Sequence, residues 1–374
     1  MAACLLLFAL PMAARAQETD VARAQDTTAR AMRDDIERRE ATLPKPATDL
    51  FSINGAVLGT VQWIAAGNRS PGPVFGEGSI DLSVTVRPRS DIRLFLDTEA
   101  LIGPGPDADL GTLSRLDNDA DRLGGAQKRW LVRELFLRLA WLDERVRLSV
   151  GKLDVGHYFD RNFFAEDETT QFLDAALVGN PMLKAPPNGP GAALRISADD
   201  WRYAVGLHAP DDIGGDISGW PYLIGEVGRR NVFAAAGHYR LWMRVGGSLE
   251  DRRRLAWGGG VSIDQLVAAD VGVFLRVGLG WSDGEDTTSY AWSTGVEVTP
   301  RRLGRPNDRI GVGYSEQREP AGRERLVEAY YRVGLADRFF VIGNVQWLVS
   351  GPNLVTGGTN RHVVIPGLRA LLLF

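Results

Sequence analysis

From Lys152 to Pro190 the chain reads KLDVGHYFDRNFFAEDETTQFLDAALVGNPMLKAPPNGP, a stretch set between two segments that alternate like strands. Lys152, Asp154, Tyr158, Phe159, Asp160 and Asn162 crowd its beginning and bring charges, an amide and aromatic rings together. Loops beyond roughly 12–15 residues are uncommon in compact domains and are usually functional or disordered. The amphipathic run inside this one favours order. Covalent chemistry finds no support: there is no H-E-x-x-H, and the one cysteine, Cys4, lies in the N-terminal apolar run. His157, His208, His238 and His362 are too widely spaced for a close metal motif. The pattern therefore points away from an enzyme and asks for no metal or cofactor. Polar and aromatic contacts remain, and the scaffold around the loop decides their use.

Residues 2–14 (AACLLLFALPMAA) form an apolar run followed by Ala14-Arg15-Ala16, which reads as a signal peptide over 1–16 cleaved before Gln17. It is shorter than the roughly 20 residues that a spanning helix needs, and no later apolar run is long enough either. An exported chain of this kind is either soluble or a closed barrel, since only helices and closed barrels span lipid. Residues 17–48 are rich in Arg, Asp and Glu and run through Pro44-Lys45-Pro46, the composition of a periplasmic arm, helical or mobile. From residue 49 the texture is that of a barrel continuing to 374.

Short segments there alternate apolar with polar or small residues, as membrane strands do. Ile80, Leu82, Val84 and Val86 oppose Asp81, Ser83, Thr85 and Arg87; Val273, Leu275, Val277 and Leu279 oppose Gly272, Arg276, Gly278 and Gly280. The strands read as 51–65, 77–88, 91–102, 130–142, 145–151, 190–198, 201–209, 219–228, 231–247, 255–264, 269–281, 290–299, 309–316, 325–335, 338–347 and 363–374. Tight connections fall at 89–90, 143–144, 199–200, 229–230 and 336–337; long ones alternate with them, with exceptions at 265–268 and 300–308. That parity separates short periplasmic turns from longer outer loops. The fold class is all-β: a transmembrane antiparallel β-barrel of about sixteen strands, whose third outer loop, 152–189, folds back into the lumen.

A barrel this wide encloses water. The alternation turns Arg93, Asp97, Glu99, Glu134, Arg138, Arg145, Arg147, Arg240, Arg244, Arg276, Glu297, Glu328, Arg332 and Arg369 inward, with Trp242 beside them. Tyr290, Trp292, Tyr331, Trp281, Phe339 and Trp347 fall near strand ends on the apolar face, where aromatic girdles sit. Within the loop, Glu168 to Val178 reads as a short helix capped by Asp167 or Thr169. The net charge of −4 argues against nucleic acid as a partner.

Gly151-Lys152-Leu153-Asp154, Tyr158-Phe159-Asp160-Arg161-Asn162, Thr169-Thr170-Gln171-Phe172-Leu173, Gly179-Asn180-Pro181 and Asn188-Gly189-Pro190-Gly191 resemble the pattern of the OprB-type carbohydrate-selective porins. The segment 344–374 is similar in style but looser. The resemblance implies a Gram-negative outer-membrane channel passing monosaccharides, with the third loop forming the constriction. By matching position, Lys152, Asp154, Phe159, Asp160 and Asn162 belong to its signature. Sugars present hydroxyls to carboxylates and arginines and ring faces to aromatics, so Glu134, Arg138, Trp242 and Arg244 on the wall with Tyr158 and Asp160 from the loop form the expected pathway. Expected partners are small sugars, outer-membrane lipid and the assembly machinery, which would read the last strand ending in Phe374; association of three barrels stays open. An anion, phosphate or general diffusion channel is the alternative, with a receptor or barrel enzyme behind it.

Overall fold

The computed structural model of the chain describes residues 50–65, 72–121, 128–213, 215, 218–233, 235–248, 251–284, 288–356, 359–360 and 362–374. The expected signal peptide and arm lie outside the described residues. Sixteen antiparallel strands close into one barrel: β1 (Phe51–Trp63), β2 (Val74–Arg89), β3 (Ile92–Ile102), β4 (Lys128–Trp141), β5 (Val146–Leu153), β6 (Gly189–Ala198), β7 (Trp201–His208), β8 (Tyr222–Arg230), β9 (Gly237–Gly247), β10 (Leu255–Ala268), β11 (Val271–Ser282), β12 (Ser289–Val298), β13 (Arg309–Glu319), β14 (Gly322–Ala336), β15 (Phe339–Ser350) and β16 (Val363–Leu373). Each strand pairs with its sequence neighbours, and β1 closes the ring on β16 with Ala56 opposite Leu373. Phe374 completes the seam: its N–H and C=O exchange hydrogen bonds of 2.9 Å with Gly55.

The side-chain alternation explains why the sheet closes. On β11, Leu275, Val277 and Leu279 are exposed while Phe274, Arg276 and Gly278 between them are buried. In water that would invert the usual order. In lipid it is required, because apolar side chains meet hydrocarbon and a closed sheet leaves no backbone group unpaired.

The connections divide between the two ends as the sequence suggests, with local corrections. The turn expected at Arg229-Arg230 lies one residue later: both arginines belong to β8, and Asn231 turns the chain at φ 53°, a conformation asparagine tolerates. Strand β9 consequently begins at Gly237 rather than 231. Residues 265–268 continue β10, leaving Ala269-Asp270 as the turn. At the outer end, the expected loop 317–324 shrinks to Pro320-Ala321, because Arg318 pairs with Arg323 and Glu319 with Gly322 in register. The polarity of that stretch imitates a loop, yet Glu319 and Glu324 find partners inside the barrel in Lys184 and the Leu113 and Ser114 amides. Arg145 sits in the β4–β5 turn instead of facing the lumen.

Two outer connections enter the barrel, where one was expected. The connection after β3 carries short helical turns at Asp107–Leu110 and Asn118–Asp121. Its Leu113 and Ser114 amides donate to Glu324 on β14 at 2.9 and 2.7 Å, and Gln346 on β15 donates to Leu116 O at 2.8 Å.

Candidate functional site

The third loop leaves β5 at Leu153 and is fixed within a few residues. Asp154 accepts the Gly156 N–H at 2.9 Å and so caps the 3-10 turn Val155–His157. Glu134 on β4 accepts the Asp154 amide at 3.0 Å and meets His157 Nδ1 at 2.8 Å. A register shift between β3 and β4 leaves Arg133 as an extra residue, so Arg133 and Glu134 both point inward; bulges re-aim side chains in this way. Arg133 reaches Glu99 at 3.6 Å and Asp154 at 3.4 Å. Burial opposes protonation of the His157 ring, but Glu134 and Asp154 outweigh it and push its pKa up to about 9. Through Glu134 the ring bridges the loop to the wall.

Beyond this turn the loop lies flat against inward-facing side chains. Phe159 covers Gly206 on β7, where a Cβ would stand 2.7 Å from its ring. Asp160, at φ 57°, turns the chain. Its carboxylate accepts Trp242 Nε1 at 2.7 Å and pairs with Arg276 Nε at 2.9 Å, while its N–H donates to Glu226 at 2.8 Å. Arg276 also donates to Ala165 O and Leu177 O at 2.5 and 2.8 Å, tying two limbs of the loop with one side chain. Asn162 donates to Ser262 Oγ at 3.2 Å and Ile263 O at 3.0 Å.

The expected helix is reduced to Ala175–Val178, capped by Asp174 rather than Asp167 or Thr169. Asp167 instead accepts the Thr169 and Thr170 hydroxyls at 2.6 Å, a local alternative that competes with helix. Glu328 takes the Leu173 and Asp174 amides at 2.8 and 3.1 Å. On the return limb, Arg244 donates to Met182 O at 2.9 Å and Lys184 pairs with Glu319 at 2.6 Å, while Lys152 at the end of β5 pairs with Asp212 in the connection after β7 at 2.5 Å.

The ten sequence-predicted residues thus gather around the loop but differ in what they leave exposed. Glu134, Asp154, Asp160, Asn162, Trp242 and Arg244 spend polar atoms on holding it, Phe159 packs beneath it, and Lys152 ties β5 to the connection after β7. Arg138 donates to Ser149 at 3.0 Å and lies 5.1 Å from the Phe136 ring. Tyr158 borders a solvent-open recess of about 690 Å³ with Arg161, Glu166, Arg195, Arg202, Glu226 and Arg240.

Residues 229–370 match the family model described as "Carbohydrate-selective porin, OprB family". The chain resembles the OprB family. Among solved structures, Pseudomonas putida OprB at high pH aligns over 87% of this chain and 94% of its own with a TM-score of 0.69 and 14% identity. An anion-selective porin from Comamonas acidovorans aligns over 87% and 99% with a TM-score of 0.55 and 13% identity. Salmonella typhi OmpF aligns over 87% and 97% with a TM-score of 0.57 and 9% identity. Identities this low speak for the fold. A stretch of 54 residues is 39% identical to an uncharacterized protein of Aquifex aeolicus and spans 18% of that relative's length. The OprB match falls on the wall from the end of β8 to β16, whereas the loop motifs that first suggested the family lie outside it. The fold is that of the outer-membrane porins, a closed sixteen-stranded antiparallel β-barrel.

Sequence reasoning missed the most ordered feature of the lumen. Arg87, Arg93, Arg138, Arg147, Arg195, Arg202, Arg230 and Arg240 come one from each of β2 to β9, all toward the tight-turn end. Arg93 stands opposite Arg138 and Arg147 opposite Arg195, while Arg202 and Arg240 flank Gly228. Like charges placed directly opposite cost stability. Above this belt, toward the long loops, Glu77, Asp81, Asp97, Glu99 and Glu134 form an acidic band on β2–β4. Phe95 and Phe136, 5.0 Å apart, separate the two. Arg195, Arg202 and Arg230 could have been found from their inward parity; the belt could not, because it depends on strand registers.

Proposed function

We propose that this chain is an outer-membrane porin for passive, carbohydrate-selective diffusion of monosaccharides into the periplasm. The observation that carries the reading is the recess beneath Tyr158, where Arg195, Arg202 and Arg240 converge with Glu226 and Glu166. Guanidinium forks and carboxylates satisfy adjacent sugar hydroxyls in pairs. The contacts stay weak because each charged group already has a protein partner, which suits conduction. The OprB match supports the substrate class, and small sugars, outer-membrane lipid and the assembly machinery are the partners that go with it.

The arginine belt favours a second reading, an anion-preferring channel. Single-channel recording of the refolded protein separates the two. Glucose added to the outer side should lower conductance in a saturable way, and Arg202→Ser should weaken that block without altering heat-modifiability of the barrel. Conductance with strong anion preference and no response to any monosaccharide would replace the sugar reading by the second.

A further inference from the structure

Glu316 breaks the rule that this barrel is apolar outside. It lies on the outward face of β13, alternating with Val312 and Tyr314, yet its side chain is only 7% exposed. The Tyr290 and Tyr314 hydroxyls donate to it at 2.9 and 3.0 Å, and Arg323 and Arg325 on β14 at 2.5 and 3.2 Å. Both arginines keep 46% and 36% of their side chains exposed. Register sets Arg318 directly opposite Arg323 on the same face, one step above the Glu316–Arg325 pair. One carboxylate thus stands among three guanidiniums, and the surplus of two positive charges sits beside the two-residue outer turn Pro320-Ala321. Outward charge is costly at the bilayer midplane and nearly free at its edge. Below the charges, the Trp292 and Tyr314 rings pack 4.9 Å apart.

We infer that this outward cluster binds the phosphate groups of an outer-leaflet glycolipid. Arginine forks match phosphate oxygens bidentately. Glu316 holds Arg323 and Arg325 in place while Arg318 brings the charge that a dianion would offset, relieving the arginine pair. The aromatic floor lies where the lipid's apolar body would rest.

The full chain, refolded in detergent, is tested by native mass spectrometry against diphosphoryl lipid A, the same lipid with its phosphates removed, and inorganic phosphate. Diphosphoryl lipid should bind at least about tenfold more tightly than the dephosphorylated form, a difference of about 1.4 kcal/mol. Arg318→Ser, which leaves the Glu316 contacts intact, should lose most of that preference; Arg318→Ser with Arg323→Ser should lose all of it, with conductance unchanged. Equal binding of the two lipids would overturn the proposal, as would inorganic phosphate competing the lipid away at similar concentration. So would a wild-type oligomer that the double variant dissolves, which would make this face a contact between copies.

Discussion

At the scale of single residues, the side chains that resemble a sugar-binding signature act first as fasteners. Asp160 is the clearest case: it is buried, its carboxylate is shared between Trp242 and Arg276, and its own amide is taken by Glu226. Breaking a buried pair by removing one charge costs about 3–5 kcal/mol, because the other charge stays buried without compensation. Arg276 keeps its carbonyl acceptors, so Asp160→Asn should fall at the low end, about 3 kcal/mol in denaturant unfolding of the refolded protein. The same variant should raise single-channel conductance and its noise, since the loop loses its central tie. Lys152→Ala is the control: its partner Asp212 is 41% exposed, and exposed pairs are worth about 1 kcal/mol or less. Equal effects of the two substitutions would show that Asp160 does not anchor the loop.

At the scale of elements, the wall is shaped to receive the loop. Inward glycines lie beneath it: Gly206 under Phe159, Gly272 under Phe164, Gly278 under Asn180 and Met182, and Gly313 against Phe172 and Leu177. A Cβ on Gly278 would stand 2.4 Å from Asn180 Oδ1 and 2.8 Å from the Met182 side chain, so the return limb must move to admit it. Gly278→Val should lift that limb into the pore and lower conductance while leaving the β10–β11 and β11–β12 pairings intact, read as conductance against heat-modifiability. Unchanged conductance would mean that the limb does not border the open path. The strands themselves were legible because their period of two is written in neighbouring residues. The last strand and the loop motifs were legible for the same local reason. The inward course of the second loop was not: its ties to Glu324 and Gln346 join residues more than 200 positions apart. The helix at Glu168–Val178 was over-read because Asp167 and Glu328, one local and one remote, compete for its hydroxyls and amides.

At the scale of the whole molecule, the charge of the lumen is layered. The chain's net charge of −4 hides this completely, since the acidic band and the arginine belt lie on the same strands at different depths. An anion entering from the long-loop end meets carboxylates first and guanidiniums after the Phe95–Phe136 step; a cation meets them in the opposite order of favour. Fields of this kind focus ions in a narrow, low-dielectric passage. The belt should therefore set the sign of selectivity, and the layering should make current depend on the direction of the voltage. Replacing Arg147 and Arg195 by serine removes a directly opposed pair, which costs the fold nothing through lost contacts between them. The double variant should shift the reversal potential in a salt gradient toward cations and reduce rectification. At about 1 M salt the Debye length falls to about 3 Å, so wild type and variant should converge there. Glucose block, which rests on Glu166 and Glu226 as well as on arginine, should weaken less than the anion preference. A reversal potential indifferent to both substitutions at low salt would take the belt out of the permeation path and leave it a brace of the periplasmic rim.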